Sequence, residues 1–168
     1  IEKLHLTNKE KINIIFELML VLDFIHIKGK IYRDLKPDNI MIDEQKNVVL
    51  IDFDRMIDFQ ALNRSIESSI YFSAPEIQNA DLTSACDVYS LGKMIYFLIE
   101  EQFPMQNTNK LNNFPGLKKI YQNCINENPN NRPLISDLIQ IFISNYYNQI
   151  KIFSFLEKLA NYLGLLIE

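Results

Sequence analysis

Arg33, Asp34, Lys36, Asp38 and Asn39 crowd into one short stretch, Ile31-Tyr32-Arg33-Asp34-Leu35-Lys36-Pro37-Asp38-Asn39-Ile40-Met41-Ile42. A solvated loop could carry such charges for no chemical reason. Here apolar residues stand on both sides and pin the polar turn to a buried frame, where fixed charges are useful for chemistry. A second acidic turn, Asp52-Phe53-Asp54, follows directly on the apolar run Val48-Val49-Leu50-Ile51. Acidic turns on two neighbouring strands suggest a site for a metal ion and a phosphate.

The elements that must position these turns can be read from caps and periodicity. Thr7-Asn8-Lys9-Glu10 has the capping-box form, so a helix is predicted from there to about His26. Its apolar residues run nearly all round, which predicts a buried helix. Gly29 suits the left-handed position that ends it. Short strands are predicted at Ile31-Tyr32 and Ile40–Ile42, then a hairpin turn at Glu44-Gln45-Lys46-Asn47 and a returning strand Val48–Ile51. From Asp52 to Glu76 no period is visible, and so long a connection is usually functional or mobile. Thr83-Ser84 can cap a strongly apolar helix that carries Asp87 in its first turn. Helices are also predicted over Leu117–Ile125 and from Pro133 onward. Residues 144–168 form a helical tail. It reads as a terminal helix packed on its own domain, with a partner-binding helix as the alternative.

The fold class expected is mainly α: a helical bundle with a small β-hairpin region at the site. With 168 residues and 48% hydrophobic residues the chain can bury one domain core. A net charge of −4 without a basic stripe argues against nucleic acid as the main partner. Cys86 and Cys124 lack metal-ligand spacing and read as free thiols rather than a disulfide or a metal pair. The first residues, Ile1-Glu2-Lys3-Leu4-His5, do not form a signal-peptide pattern, and no apolar run of about 18 residues predicts a membrane span. The expected location is the cytoplasm, with the nucleus left open.

The stretch Tyr32-Arg33-Asp34-Leu35-Lys36-Pro37-Asp38-Asn39 resembles the catalytic loop of eukaryotic protein kinases. Asp52-Phe53-Asp54 is similar to their metal-binding DFG turn, Ala74-Pro75-Glu76 to their APE motif, Asp87–Gly92 to their central helix and Asn131-Arg132-Pro133 to their late Arg-Pro motif. The resemblance covers about residues 7–143 and implies the large, C-terminal lobe of a kinase, residues 1–143, followed by the tail. It implies that Asp34 orients the substrate hydroxyl and accepts its proton, and that Lys36 neutralises the γ-phosphate of ATP. Asn39 and Asp52 would hold Mg2+, and Met41 would form the floor under the adenine. Lys36 matches the serine/threonine branch, so the implied partner is a protein carrying a Ser or Thr hydroxyl. Ser69 would supply a hydroxyl near Asp34 and Lys36. Glu76 and Arg132 would form an ion pair, and Asp87 would hold the loop backbone. Arg33 would either pair with a phosphorylated Ser65 or Ser68 or serve structure alone.

Three departures qualify the resemblance. Tyr32 replaces the usual His. Asp54 replaces the Gly of DFG, and is expected to take up the left-handed geometry that Gly provides. The four glycines, Gly29, Gly92, Gly116 and Gly164, form no Gly-x-Gly-x-x-Gly loop, and no lysine-bearing strand precedes the catalytic loop. The expected partner is therefore a missing N-terminal lobe, and residues 1–168 alone are expected to bind little ATP and transfer no phosphate. The competing expectation is a pseudokinase or truncated lobe acting as a non-catalytic interaction module. A small-molecule phosphotransferase of related fold is disfavoured by the APE-like and Arg-Pro motifs.

Overall fold

Helix α1, Asn8–Ile27, starts where the capping box places it. The Thr7 hydroxyl accepts the Glu10 N–H at 3.3 Å, and the Glu10 carboxylate accepts the Thr7 N–H at 2.8 Å. The computed structural model describes residues 5–44, 47–61, 69–79, 82–104 and 109–150. Ser65, Ser68 and residues 151–168 of the expected tail lie outside the described residues. Ile12, Ile14, Ile15, Leu18, Met19 and Leu22 of α1 are buried in the main core, as expected for a helix apolar on nearly every side. Gly29 ends the helix at φ 71°, with its N–H donating to His26 O at 2.9 Å.

Two separate two-stranded ladders follow. Strand β2, Ile40–Ile42, pairs antiparallel with β3, Val48–Leu50, in the register Ile40↔Leu50, Met41↔Val49 and Ile42↔Val48. This is the predicted hairpin. Strand β1, Lys30–Ile31, does not join it. It pairs with β4, Ile57–Asp58, inside the segment that showed no period. Two residues are too few to display an alternation, so β4 had no signal to read.

Helix α2, Ala85–Glu100, lies at the centre, and its Leu91, Met94, Ile95 and Leu98 are buried. Ser84 precedes it as expected, but its side chain makes no capping bond. Ser84 already has helical angles; the Thr83 hydroxyl accepts the Ala85 N–H at 3.4 Å, and the Thr83 and Ser84 carbonyls take the next N–H groups. Gly92 lets the next helix approach: a Cβ there would lie 2.6 Å from Cys124 Cβ. Helix α3, Pro115–Cys124, begins two residues earlier than expected, because Pro115 occupies its first turn. Helix α4, Ile135–Tyr146, begins two residues after Pro133 and runs past residue 143. Pro133 keeps Arg132 extended, with ψ 136°, and the helix waits for Ile135. Phe142 of α4 stacks on Phe16 of α1 at 5.7 Å, which closes the bundle.

A buried ion pair fastens the segment before α2. The Arg132 guanidinium is fully buried and pairs with both Glu76 oxygens, with Nη2–Oε2 at 3.0 Å. It also donates to Ala85 O at 2.9 Å and Asn126 O at 2.7 Å, and lies 4.9 Å over the Tyr89 ring. Among the described residues no helix is long and apolar enough to cross a membrane.

Glu76→Ala leaves the Arg132 charge buried and is expected to lower stability by about 3–5 kcal/mol in urea unfolding. Gly92→Ala forces α2 and α3 apart and is expected to cost about 1–3 kcal/mol in the same measurement.

Candidate active site

The loop after β1 hangs on Asp87. This carboxylate sits in the first turn of α2 and is fully buried. Its Oδ2 accepts the Tyr32 N–H and its Oδ1 the Arg33 N–H, each at 2.8 Å. His26 Nε2, at the end of α1, lies 2.9 Å from the same Oδ2. These bonds hold Arg33 at φ 73°, a left-handed conformation unusual for a side-chain-bearing residue. Burial lowers the pKa of the Arg33 guanidinium. Tyr32 is buried and its hydroxyl donates to Ile51 O, while its ring meets the edge of Phe53 at 5.6 Å. Burial first, then the charges of Asp34 and Asp52, raise its pKa far above the usual phenol range, so it remains a neutral donor.

The turn that follows places Asp34 in a nearly closed setting, with its side chain 2% exposed. Asn39 donates to Asp34 Oδ2 at 2.7 Å and Lys36 donates to the same oxygen at 2.9 Å. The second hydrogen of the Asn39 amide goes to Asp34 O at 2.9 Å. Arg55 Nη1 reaches the other oxygen, Oδ1, at 3.2 Å. Asp34, Lys36 and Asn39 thus come together as the sequence suggested. Arg55 was passed over: it is the basic residue of the second turn, but its reach to Asp34 depends on how that turn closes.

The β2–β3 ladder brings the second turn to the first. It continues one bond past its last strand pair, with Ile51 N–H donating to Asn39 O at 3.0 Å. Asp52 leaves the ladder at the next residue, exposed and at φ 60°. The left-handed residue is therefore Asp52, not Asp54 as expected. The turn takes its positive φ before Phe53, so position 54 needs no glycine freedom. The Asn39 amide nitrogen faces Asp34, so its carbonyl oxygen would be the atom to offer a metal ion. That oxygen and the Asp52 carboxylate are hard donors that fit Mg2+, which takes one or two protein groups and fills its octahedron with water and phosphate oxygens. Met41 is 57% exposed, opposite the half-exposed Val49 on the outer face of the ladder. The described contacts of Ser69 are local: its N–H donates to Ser73 Oγ at 2.9 Å and its carbonyl accepts from the Phe72 and Ser73 N–H groups.

The family model described as "Protein kinase domain" matches residues 1–151. The chain belongs to the protein kinase family. Its kinase relatives include the serine/threonine-protein kinase ppk34 of Schizosaccharomyces pombe, 28% identical over 145 residues, an alignment that covers 74% of this chain and 41% of that protein. Ribosomal protein S6 kinase alpha-3 of Homo sapiens is 35% identical over 98 residues, covering 56% of this chain and 13% of that protein. A probable serine/threonine-protein kinase, the KIN1 homologue of Encephalitozoon cuniculi, is 38% identical over 87 residues, covering 49% and 15%. The chain therefore spans less than half the length of these kinases. The family as a whole uses ATP and Mg2+ and acts on proteins.

Asp87→Asn replaces one acceptor oxygen by an amide that cannot accept. One loop N–H then loses its bond in a buried place, and stability is expected to fall by about 1–3 kcal/mol in urea unfolding.

Proposed function

We propose that this chain is the substrate- and metal-side lobe of a serine/threonine protein kinase, whose complete form transfers the γ-phosphate of ATP to a Ser or Thr hydroxyl of a protein. The observation that carries this reading is the buried Asp34 carboxylate, aimed by Asn39 and flanked by Lys36 on a loop anchored to Asp87. Phosphoryl transfer asks for positioning and charge neutralisation more than for covalent help. Asp34 orients the acceptor hydroxyl and takes its proton. Lys36, 2.9 Å from Asp34, neutralises charge on the phosphate as it passes. Asn39 and Asp52 would hold Mg2+, which supplies charge neutralisation on the phosphates when bound. Met41 would form the floor under the adenine. An N-terminal lobe covers ATP in the complete protein, and the cytoplasm is the compartment that suits this reading.

A second reading, a non-catalytic interaction module, is favoured by one contact: Arg55 occupies the Asp34 oxygen that an acceptor hydroxyl needs. The two readings separate in the complete protein. Asp34→Asn keeps the shape of the side chain and removes the base. It is expected to lower kcat for a serine peptide by roughly 10²–10⁴-fold with KM for ATP little changed. Wild-type protein that transfers no phosphate, or an Asp34→Asn variant with undiminished kcat, overturns the catalytic reading. A glycine-rich loop followed by a lysine-bearing strand, encoded upstream of Ile1, supports it.

A further inference from the structure

We propose that residues 151–168 dock as a helix along an apolar row of α1 formed by Leu20, Phe24 and Ile27. The row is then an internal interaction surface, and its occupant is this chain's own C-terminal segment. The proposal stands independently of the phosphoryl-transfer reading.

Helix α1 is apolar on nearly every side, and a helix of that kind belongs in a buried place, covered all round. The described elements cover most of it. Phe16 stacks on Phe142 of α4, Glu17 accepts the Val48 N–H of β3 at 2.6 Å, and α2 packs alongside. A further face is less well covered. Leu20 and Phe24 on it are half-buried, and Ile27 is 73% exposed. Spacings of four and three residues put all three in one row along the helix. Lys28, one residue past the row, places its ammonium 5.5 Å from the centre of the Phe24 ring, so a charge borders the apolar surface.

The course of the chain points to what covers this row. Asn13 lies on the same face of α1, two turns before Leu20, and its amide donates to Gln149 O at 3.1 Å. Ile150 packs against the main core. The C-terminal segment therefore departs from one end of the row. From Asn13 to Ile27 the helix runs about 21 Å, and residues 151–168 in helical form reach about 27 Å. Phe153, Leu156, Leu159, Ala160 and Leu163 recur at helical spacing, and Lys151 and Lys158 fall on the opposite face. An amphipathic segment of sufficient length thus begins where the row begins. Its attachment beside Asn13 gives it a high effective concentration at the row, which a separate molecule lacks.

The test places a photoactivated probe at the far end of the row. Ile27→Cys in the 168-residue chain adds one accessible thiol, because Cys86 and Cys124 are buried. A benzophenone maleimide is attached there and activated by light, and the cross-linked peptides are mapped by mass spectrometry. Cross-links are expected within residues 151–168 of the same molecule. Cross-links only to other segments, cross-links to a second molecule (seen as a dimer on a denaturing gel), or none at all overturn the proposal. Hydrogen exchange on the unlabelled chain reads the same contact without a probe. Amides of residues 151–168 are expected to exchange about tenfold more slowly than in the free peptide of that sequence. Phe24→Ala combined with Ile27→Lys is expected to remove most of that protection. Free-peptide rates in the wild type, or protection that persists in this variant, overturn the proposal. Leu159→Asp combined with Leu163→Asp leaves α1 intact, so it serves where the α1 variant fails to fold. It is expected to lose the protection and to bind more of the dye ANS, which reports uncovered apolar surface. Unchanged protection and dye binding in that variant overturn the proposal as well.

Discussion

One buried carboxylate decides the shape of the loop. Asp87 has no exposure and takes hydrogen bonds from two successive backbone N–H groups and a contact from His26. Hydrogen bonds to a charged acceptor contribute about 1.5–3 kcal/mol each. The left-handed conformation of Arg33 costs of order 1–3 kcal/mol. Two such bonds outweigh that strain, so the loop can hold a shape its own sequence disfavours. Asp87 also stands in the first turn of α2, where the helix dipole favours a negative charge.

Helix α2 serves more than the loop. Near the same end, its Ala85 carbonyl accepts from Arg132, which in turn holds Glu76. At Gly92 it lets α3 come within backbone distance. The segment between the two acidic turns and α2 is therefore tied at both described ends: β4 is laddered to β1, and Glu76 is paired beneath α2. Its described apolar residues Ile57, Ala74 and Ile77 pack with Ile31, Leu82 and Cys86 in a second small core, so the segment is also held by burial.

The electrostatics around Asp34 follow from burial. A carboxylate removed from water must be matched by donors, and here an amide, an ammonium and a guanidinium surround it. The same arrangement that stabilises the charge also restricts who can approach it. The neighbouring Tyr32 adds no charge, because burial keeps its phenol protonated, and its ring supports Phe53 at the base of the second turn.

The amino-acid sequence alone determined the helices with strong local signals and the placing of charged residues in two polar turns. The Thr7–Glu10 box, the apolar face of α1, Gly29 and the β2–β3 hairpin are local patterns, in which neighbours along the chain are also neighbours in space. Asp34, Lys36, Asn39 and Asp52 were legible because their spacing resembles a known motif. Tertiary structure alone decided the rest. The pairing of Ile31 with Ile57 spans too few residues to leave a period. The left-handed residue of the second turn is Asp52 and not Asp54, since the ladder ending at Ile51 sets where the chain must bend. Arg55 meets Asp34 across 21 positions, and no pattern in the chain specifies that distance. Local signals encode elements; contacts between charges far apart in sequence exist only once the packed helices have brought their ends together.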